Sequence, residues 1–101
     1  MQIRFVKADD VWLSANYHRD SCHLTLCIHN PPREIREHYF FGFYRALHRY
    51  KPRMHWGKEF SFTLQDMQSM YPKLKEFLSV RKRMDPNGIF LNEQLAKTLE
   101  L

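Results

Sequence analysis

Six consecutive residues, Arg53-Met54-His55-Trp56-Gly57-Lys58, gather a guanidinium, an imidazole, an indole N–H and an ammonium around one glycine. An ammonium beside a hydroxyl stabilises the alkoxide character that develops when a hydride leaves the adjacent carbon, which makes Lys58 a candidate catalytic cation. A second cation, Arg4, can fix further hydroxyls and bias the electronics of a cofactor. His55 adds a polar donor and Trp56 a flat apolar wall, a mixture that suits a sugar-like ligand. The residues by themselves support a polyol pocket and leave other readings open.

Those other readings are weaker on spacing. The six histidines and two cysteines invite a metal, but no C-x-x-C or H-E-x-x-H pattern occurs. His23 and His29 would stand about 20 Å apart along one strand, so one ion cannot take both. No metal is expected. Cys27 could pair with a histidine as a nucleophile, yet no orienting third group is visible. Nucleic-acid binding would set Arg4, Phe5, Arg53 and Trp56 on a sheet. No ribonucleoprotein signature or glycine-rich loop accompanies them, and no nucleic-acid partner is expected.

The elements that must position these groups follow from periodicity. Residues 1–8 alternate as a strand, with Ile3 and Phe5 on one face and Gln2 and Arg4 on the other. Ser21 to His29 is the clearest strand. Its Cys22, Leu24, Leu26 and Ile28 face belongs against a core, and its His23, Thr25, Cys27 and His29 face suits a wet cavity. Asn30-Pro31-Pro32 reads as an N-cap with proline in the first turn. A helical period then runs from Arg33 to Tyr50 through Ile35, Tyr39, Phe43, Ala46 and Leu47, and Pro52 stops it.

The 53–58 motif reads as a short strand or extended loop, leading into Phe60-Ser61-Phe62. Thr63 with Asp66 forms a capping box for a short helix through Met67 and Met70. Pro72 opens another, with Leu74, Phe77, Leu78, the Arg81 stem and Met84 on its buried side. Asp85-Pro86-Asn87-Gly88 is a turn signal. Ile89 to Leu91 is expected to run extended, and Asn92 to cap a last helix over Glu93–Leu99. The order β–β–α–β–α–α predicts an α+β fold, an antiparallel sheet with helices packed on one face.

At 101 residues the chain is one domain at most, and 15% aromatic is high for one small core, so some rings are expected at an interface. The net charge of +5 is spread among acids, with Arg81-Lys82-Arg83 the only basic run. On one strand Cys22 and Cys27 would be roughly 16 Å apart on opposite faces, while a disulfide needs Cα atoms within about 7 Å. The chain therefore reads as reduced and cytoplasmic, with no signal peptide and no apolar run long enough for a transmembrane segment.

Two blocks carry a resemblance: His55-Trp56-Gly57-Lys58 with Tyr71-Pro72, and Arg83-Met84-Asp85-Pro86-Asn87-Gly88-Ile89-Phe90-Leu91-Asn92. They resemble the C-terminal end of the aldonolactone oxidase group, FAD-dependent oxidases of the vanillyl-alcohol oxidase superfamily. The early stretch, Ile3-Arg4 through Ser14, looks most like the alditol (xylitol or sorbitol) oxidase branch. The likeness covers essentially all of the chain.

It implies the C-terminal portion of a substrate, or cap, domain over residues 1–101, with the FAD-binding domain absent. Lys58 corresponds to the lysine that contacts substrate hydroxyls beside the flavin, and Arg4 to the arginine near the flavin ring. Gln2, Thr25 and Cys27 fall where the branch places a glutamate, a histidine and a threonine facing the polyol, and His55 joins them on the substrate side. Trp56 and Asn92 fall on the cofactor side, Asn92 and its turn holding the C-terminal segment there. Glutamine keeps an acceptor but loses the charge, and cysteine for threonine weakens a hydrogen bond.

The implied partners are a polyol or sugar-lactone substrate and the FAD-binding domain of a fuller protein. The isolated chain is expected to bind no FAD, to be inactive, and to self-associate through bare cap surface as a homo-oligomer. The alternative reading is a stand-alone binding or assembly module that has kept the cap fold and lost the chemistry.

Overall fold

A computed structural model describes residues 1–59 and 61–101, so Phe60 of the aromatic run lies outside the described residues. The order is β1 (Gln2–Val6), β2 (Ser21–Thr25), α1 (Arg33–Leu47) with a 3-10 turn at His48–Tyr50, α2 (Leu64–Met70), α3 (Leu74–Met84) and α4 (Glu93–Leu99). A two-stranded antiparallel sheet with helices after it is the α+β class expected from the pattern. The core gathers on the helices: Phe62, Met67, Met70, Tyr71, Leu74 and Leu99 are buried together. No described helix is long and apolar enough to cross a membrane.

Local side-chain chemistry explains most of the boundaries. Thr63 Oγ1 accepts from the Asp66 amide at 3.2 Å and Asp66 Oδ2 accepts from the Thr63 amide at 2.9 Å, a complete capping box at the start of α2. Asn92 Oδ1 accepts from the Leu95 amide at 2.8 Å and starts α4. The α1 stripe is largely exposed at Ile35, Tyr39 and Tyr50. Tyr44 instead meets the core, its ring 5.5 Å from that of Phe62.

Five expectations are corrected. Strand β2 ends at Thr25 rather than His29, where its pairing with β1 ends at Gln2. Asn30 does not cap α1. Its φ of 40° lies in the left-handed region, and Pro32 takes the cap position without a side-chain bond. Among the described residues the 53–58 motif forms no strand. Its amides close a turn instead, Lys58 N donating to His55 O at 3.1 Å.

Ile89 to Leu91 are not extended either. The Asp85 carboxylate takes the Ile89 and Phe90 amides at 2.7 and 3.0 Å, and Leu91 N closes a turn on Gly88 O. Gly88 has φ of 69°, which a side chain would oppose. Met84, placed on the buried side of α3, is 80% exposed, since α3 ends there and no described element covers it.

The β1–β2 connection folds on itself around Asp9. Its carboxylate accepts from the Val11 amide at 3.0 Å and from Ser14 Oγ at 2.6 Å, while Asp9 N donates to Asn16 O. The Ser14 hydrogen bond, more than any other group, holds the Asp9 carboxyl below its usual range, with burial opposing.

Two outcomes follow. Thr63→Ala should cost about 1 kcal/mol in urea unfolding, and an unchanged midpoint would contradict the cap. A carboxyl whose folded pKa is depressed adds stability above its unfolded pKa of about 3.9, and loses it as pH falls through the folded value. The stability gap between the parent and Asp9→Asn should therefore be level near neutral pH and shrink below about pH 4. A gap that widens in acid would be inconsistent with this sign.

Candidate active site

Alternation along β1 and the register with β2 define one polar face. Gln2 lies opposite Thr25 and Arg4 opposite His23, cross-strand neighbours whose Cβ atoms stand about 5 Å apart. Arg4 Nη2 donates to Gln2 Oε1 at 3.0 Å, so the two side chains lie together. His23 Nε2 is 2.7 Å from Asn16 Oδ1, which ties this face to the connecting loop. Gln2, Arg4 and Thr25 are exposed. Cys27 is an exposed free thiol past the end of β2, so its direction no longer follows the strand's alternation.

The 53–58 motif divides between inside and outside. Arg53 turns inward: Nε and Nη2 donate to Met70 O at 3.0 and 2.7 Å, and Nη1 to the carbonyls of Ser14, Ala15 and Tyr17 at 3.2, 3.2 and 3.1 Å. The same guanidinium lies 4.9 Å over the Tyr71 ring. Burial, then the nearby Arg19, push its pKa below the ordinary arginine value. Trp56 also turns inward, its Nε1 donating to Leu13 O at 3.1 Å and its ring 5.8 Å from that of Tyr71. The Tyr71 hydroxyl is buried, and burial raises its pKa against the opposing pull of Arg53, Arg19 and the Trp56 indole.

His55 and Lys58 face outward. His55 Nδ1 accepts from the Gly57 amide at 3.0 Å, which puts the neutral ring's proton on Nε2 and makes that nitrogen a donor. The Lys58 ammonium is exposed and has no ion pair among the described residues. Asn92 uses its side-chain oxygen on α4, while Trp56 gives its N–H to Leu13 and packs its ring against the core, so Trp56 serves the fold and only the Asn92 amide nitrogen is left to offer a cofactor.

The structure thus brings Gln2, Arg4 and Thr25 together, and separately sets His55 beside Lys58. No hydrogen bond, ion pair or ring contact among the described residues joins the two groups directly. They are joined through the loop at residues 13–17, whose carbonyls Arg53 and Trp56 hold. The sequence reading placed His23 on the wet face of β2 without a role in the site, and gave Asn16 none. A lone strand carries no mark of its register, so the pairing of His23 with Arg4 could not be read in advance.

Lysine cannot reproduce a planar fork reaching four carbonyls. Arg53→Lys should therefore cost about 2 kcal/mol or more, since hydrogen bonds to a charged group are worth about 1.5–3 kcal/mol each. Thermal unfolding measures this, and a loss under about 0.5 kcal/mol, the range of ordinary surface changes, would show that the clamp does not hold the fold.

The chain matches the D-arabinono-1,4-lactone oxidase family over residues 1–98. It is 39% identical over 100 residues to an L-gulonolactone oxidase of Scyliorhinus torazame, covering 97% of this chain and 23% of that protein. To an L-gulono-1,4-lactone dehydrogenase of Mycobacterium tuberculosis it is 33% identical over 99 residues, covering 98% and 23%. To an alditol oxidase of a Streptomyces species it is 29% identical over 106 residues, covering 98% and 24%. It therefore spans about a quarter of the length of these curated relatives. The aldonolactone and alditol oxidase resemblance read from the motifs is borne out, and the chain belongs to the D-arabinono-1,4-lactone oxidase family.

Proposed function

We propose that this chain is the C-terminal portion of the substrate domain of an FAD-dependent oxidase. The full protein would oxidise a CH–OH group of a sugar alcohol or aldonolactone to a carbonyl, with oxygen as the final acceptor. The observation that supports this best is the polar sheet face, where Arg4 is bonded to Gln2 and Thr25 stands opposite, in a chain of this oxidase family.

Each residue has a part suited to its chemistry. Arg4, Gln2 and Thr25 orient ligand hydroxyls, with Cys27 and the His55 Nε2 donor adding contacts around them. Lys58 holds its ammonium toward the reacting hydroxyl and stabilises the negative charge that grows on that oxygen as its proton leaves. FAD, when bound, supplies the hydride acceptor. The donor set fits such a group: two exposed cations, Arg4 and Lys58, complement a ring that gains negative charge. Asn92 anchors the C-terminal segment on that side. Two free cysteines fit a reducing compartment such as the cytoplasm.

In the full-length oxidase, Lys58→Ala should lower kcat about 100-fold or more, the scale seen on removing one charge-stabilising donor, with FAD still bound. Arg4→Ala should raise KM for the same substrate. Peroxide release from a sugar alcohol and from an aldonolactone measures both. Unchanged kcat in Lys58→Ala would remove Lys58 from the chemistry. A flavin-loaded protein that oxidises neither substrate would favour the non-catalytic module.

A further inference from the structure

The two faces of the sheet have different surroundings. The apolar face, expected against a core, supplies nothing to the buried cluster, and Phe5 on it is 84% exposed. The polar face is backed by hydrogen bonds from the connecting loop. His23, half-buried and opposite Arg4, has its Nε2 2.7 Å from Asn16 Oδ1. The Asp9 carboxyl is held below its usual range first by Ser14, against an opposing burial, and then by the Val11 amide and the Asn16 side chain. A carboxylate only accepts, so the amide N–H of Asn16 faces Asp9 and its Oδ1 is left to His23. That oxygen only accepts as well. His23 therefore carries its proton on Nε2, and Nδ1 of the neutral ring is an acceptor with no hydrogen bond to it among the described residues.

An acceptor is what the proposed pocket lacks. The Arg4 guanidinium and the Lys58 ammonium only donate, and His55 Nε2 is a donor because Nδ1 takes the Gly57 amide. Gln2 Oε1 already accepts from Arg4. The Thr25 hydroxyl serves either way, and the Cys27 thiol is weak in both. A polyol hydroxyl has an oxygen that accepts and a proton to give. A set of donors satisfies the oxygen and leaves the proton unplaced.

We propose that His23 is a further ligand-binding residue of this site, its Nδ1 accepting the proton of the substrate hydroxyl whose oxygen Arg4 binds. This rests on the reading of the polar face as a polyol site. Arg4 and His23 are cross-strand partners with Cβ atoms about 5 Å apart, close enough for one hydroxyl to bridge them. Asp9 and Asn16 are positioning residues that fix the tautomer. The consequence is selectivity. A carbonyl or ring oxygen at that position satisfies Arg4 and leaves His23 without a proton to accept, so the position calls for a hydroxyl.

Two conservative variants separate this role from a structural one. His23→Asn keeps an acceptor near the place of Nδ1 and loses the tie to Asn16. His23→Gln keeps the reach to Asn16 and leaves no acceptor near Nδ1. Titration calorimetry with xylitol on the flavin-loaded full-length protein reads Kd, and peroxide release reads turnover. His23→Gln should weaken xylitol binding roughly three- to tenfold, the scale of one neutral hydrogen bond, and His23→Asn should weaken it less. Among the monodeoxy analogues of xylitol, one deletion should weaken binding to the parent and to His23→Asn but not to His23→Gln. The reverse order of the two variants, equal binding by both, or an equal loss on every analogue would overturn the proposal. So would a parent that binds no xylitol. The predicted order of Kd values in a protein that turns nothing over would sink the proposed function and leave His23 in the site. Turnover with a Kd indifferent to His23 would do the opposite.

Discussion

The Arg53 guanidinium is the interaction on which the arrangement depends. Five hydrogen bonds run from one side chain to carbonyls at Ser14, Ala15, Tyr17 and Met70, with the Tyr71 ring beneath. A loop that is partly buried must satisfy its carbonyls, and backbone amides reach only part of this one, Asp9 N donating to Asn16 O and Tyr17 N to Ser14 O. A planar, permanently charged fork is the side chain best able to serve several at once. β1 and β2 supply no residue to the buried cluster, and the sheet's connecting loop is tied to the rest by this clamp, by the Trp56–Leu13 bond and the packing of Leu13 on the core, and by Arg19 donating to Lys51 O.

How much of this was legible in the sequence follows from the range of the interactions. The caps at Thr63 and Asn92 were readable, since a side chain bonding an amide three residues on leaves a fixed spacing. The end of β2 was not, because a strand's length depends on its partner, and β1 stops supplying residues at Gln2. Ile89 to Leu91 looked extended by composition, but Asp85 takes two of the amides that a strand would need. Arg53 lies inside the 53–58 motif, yet its acceptors are backbone carbonyls 36 to 39 residues away as well as Met70. Backbone acceptors have no residue-type signature.

The candidate site was legible in the same uneven way. Strand alternation was enough to put Gln2 and Arg4 on one face, and the observed register adds Thr25 and His23 to it. The motif's chemistry was read as one cluster, whereas the structure separates an inward half, Arg53 and Trp56, from an outward half, His55 and Lys58. The inward half builds and the outward half is available to a ligand. The residues most conspicuous in sequence were therefore not all of one kind, and the clamp is what sets the outward pair relative to the sheet.

The central claim is that Arg4 on the sheet and Lys58 on the loop act on one ligand. A double-mutant cycle in the full-length oxidase tests it, with kcat/KM measured for Arg4→Ala, Lys58→Ala and the double variant on one substrate. Residues that share a ligand should couple by about 0.5–3 kcal/mol. Losses that add within about 0.3 kcal/mol would mean the two act independently, and would contradict a single site built from both.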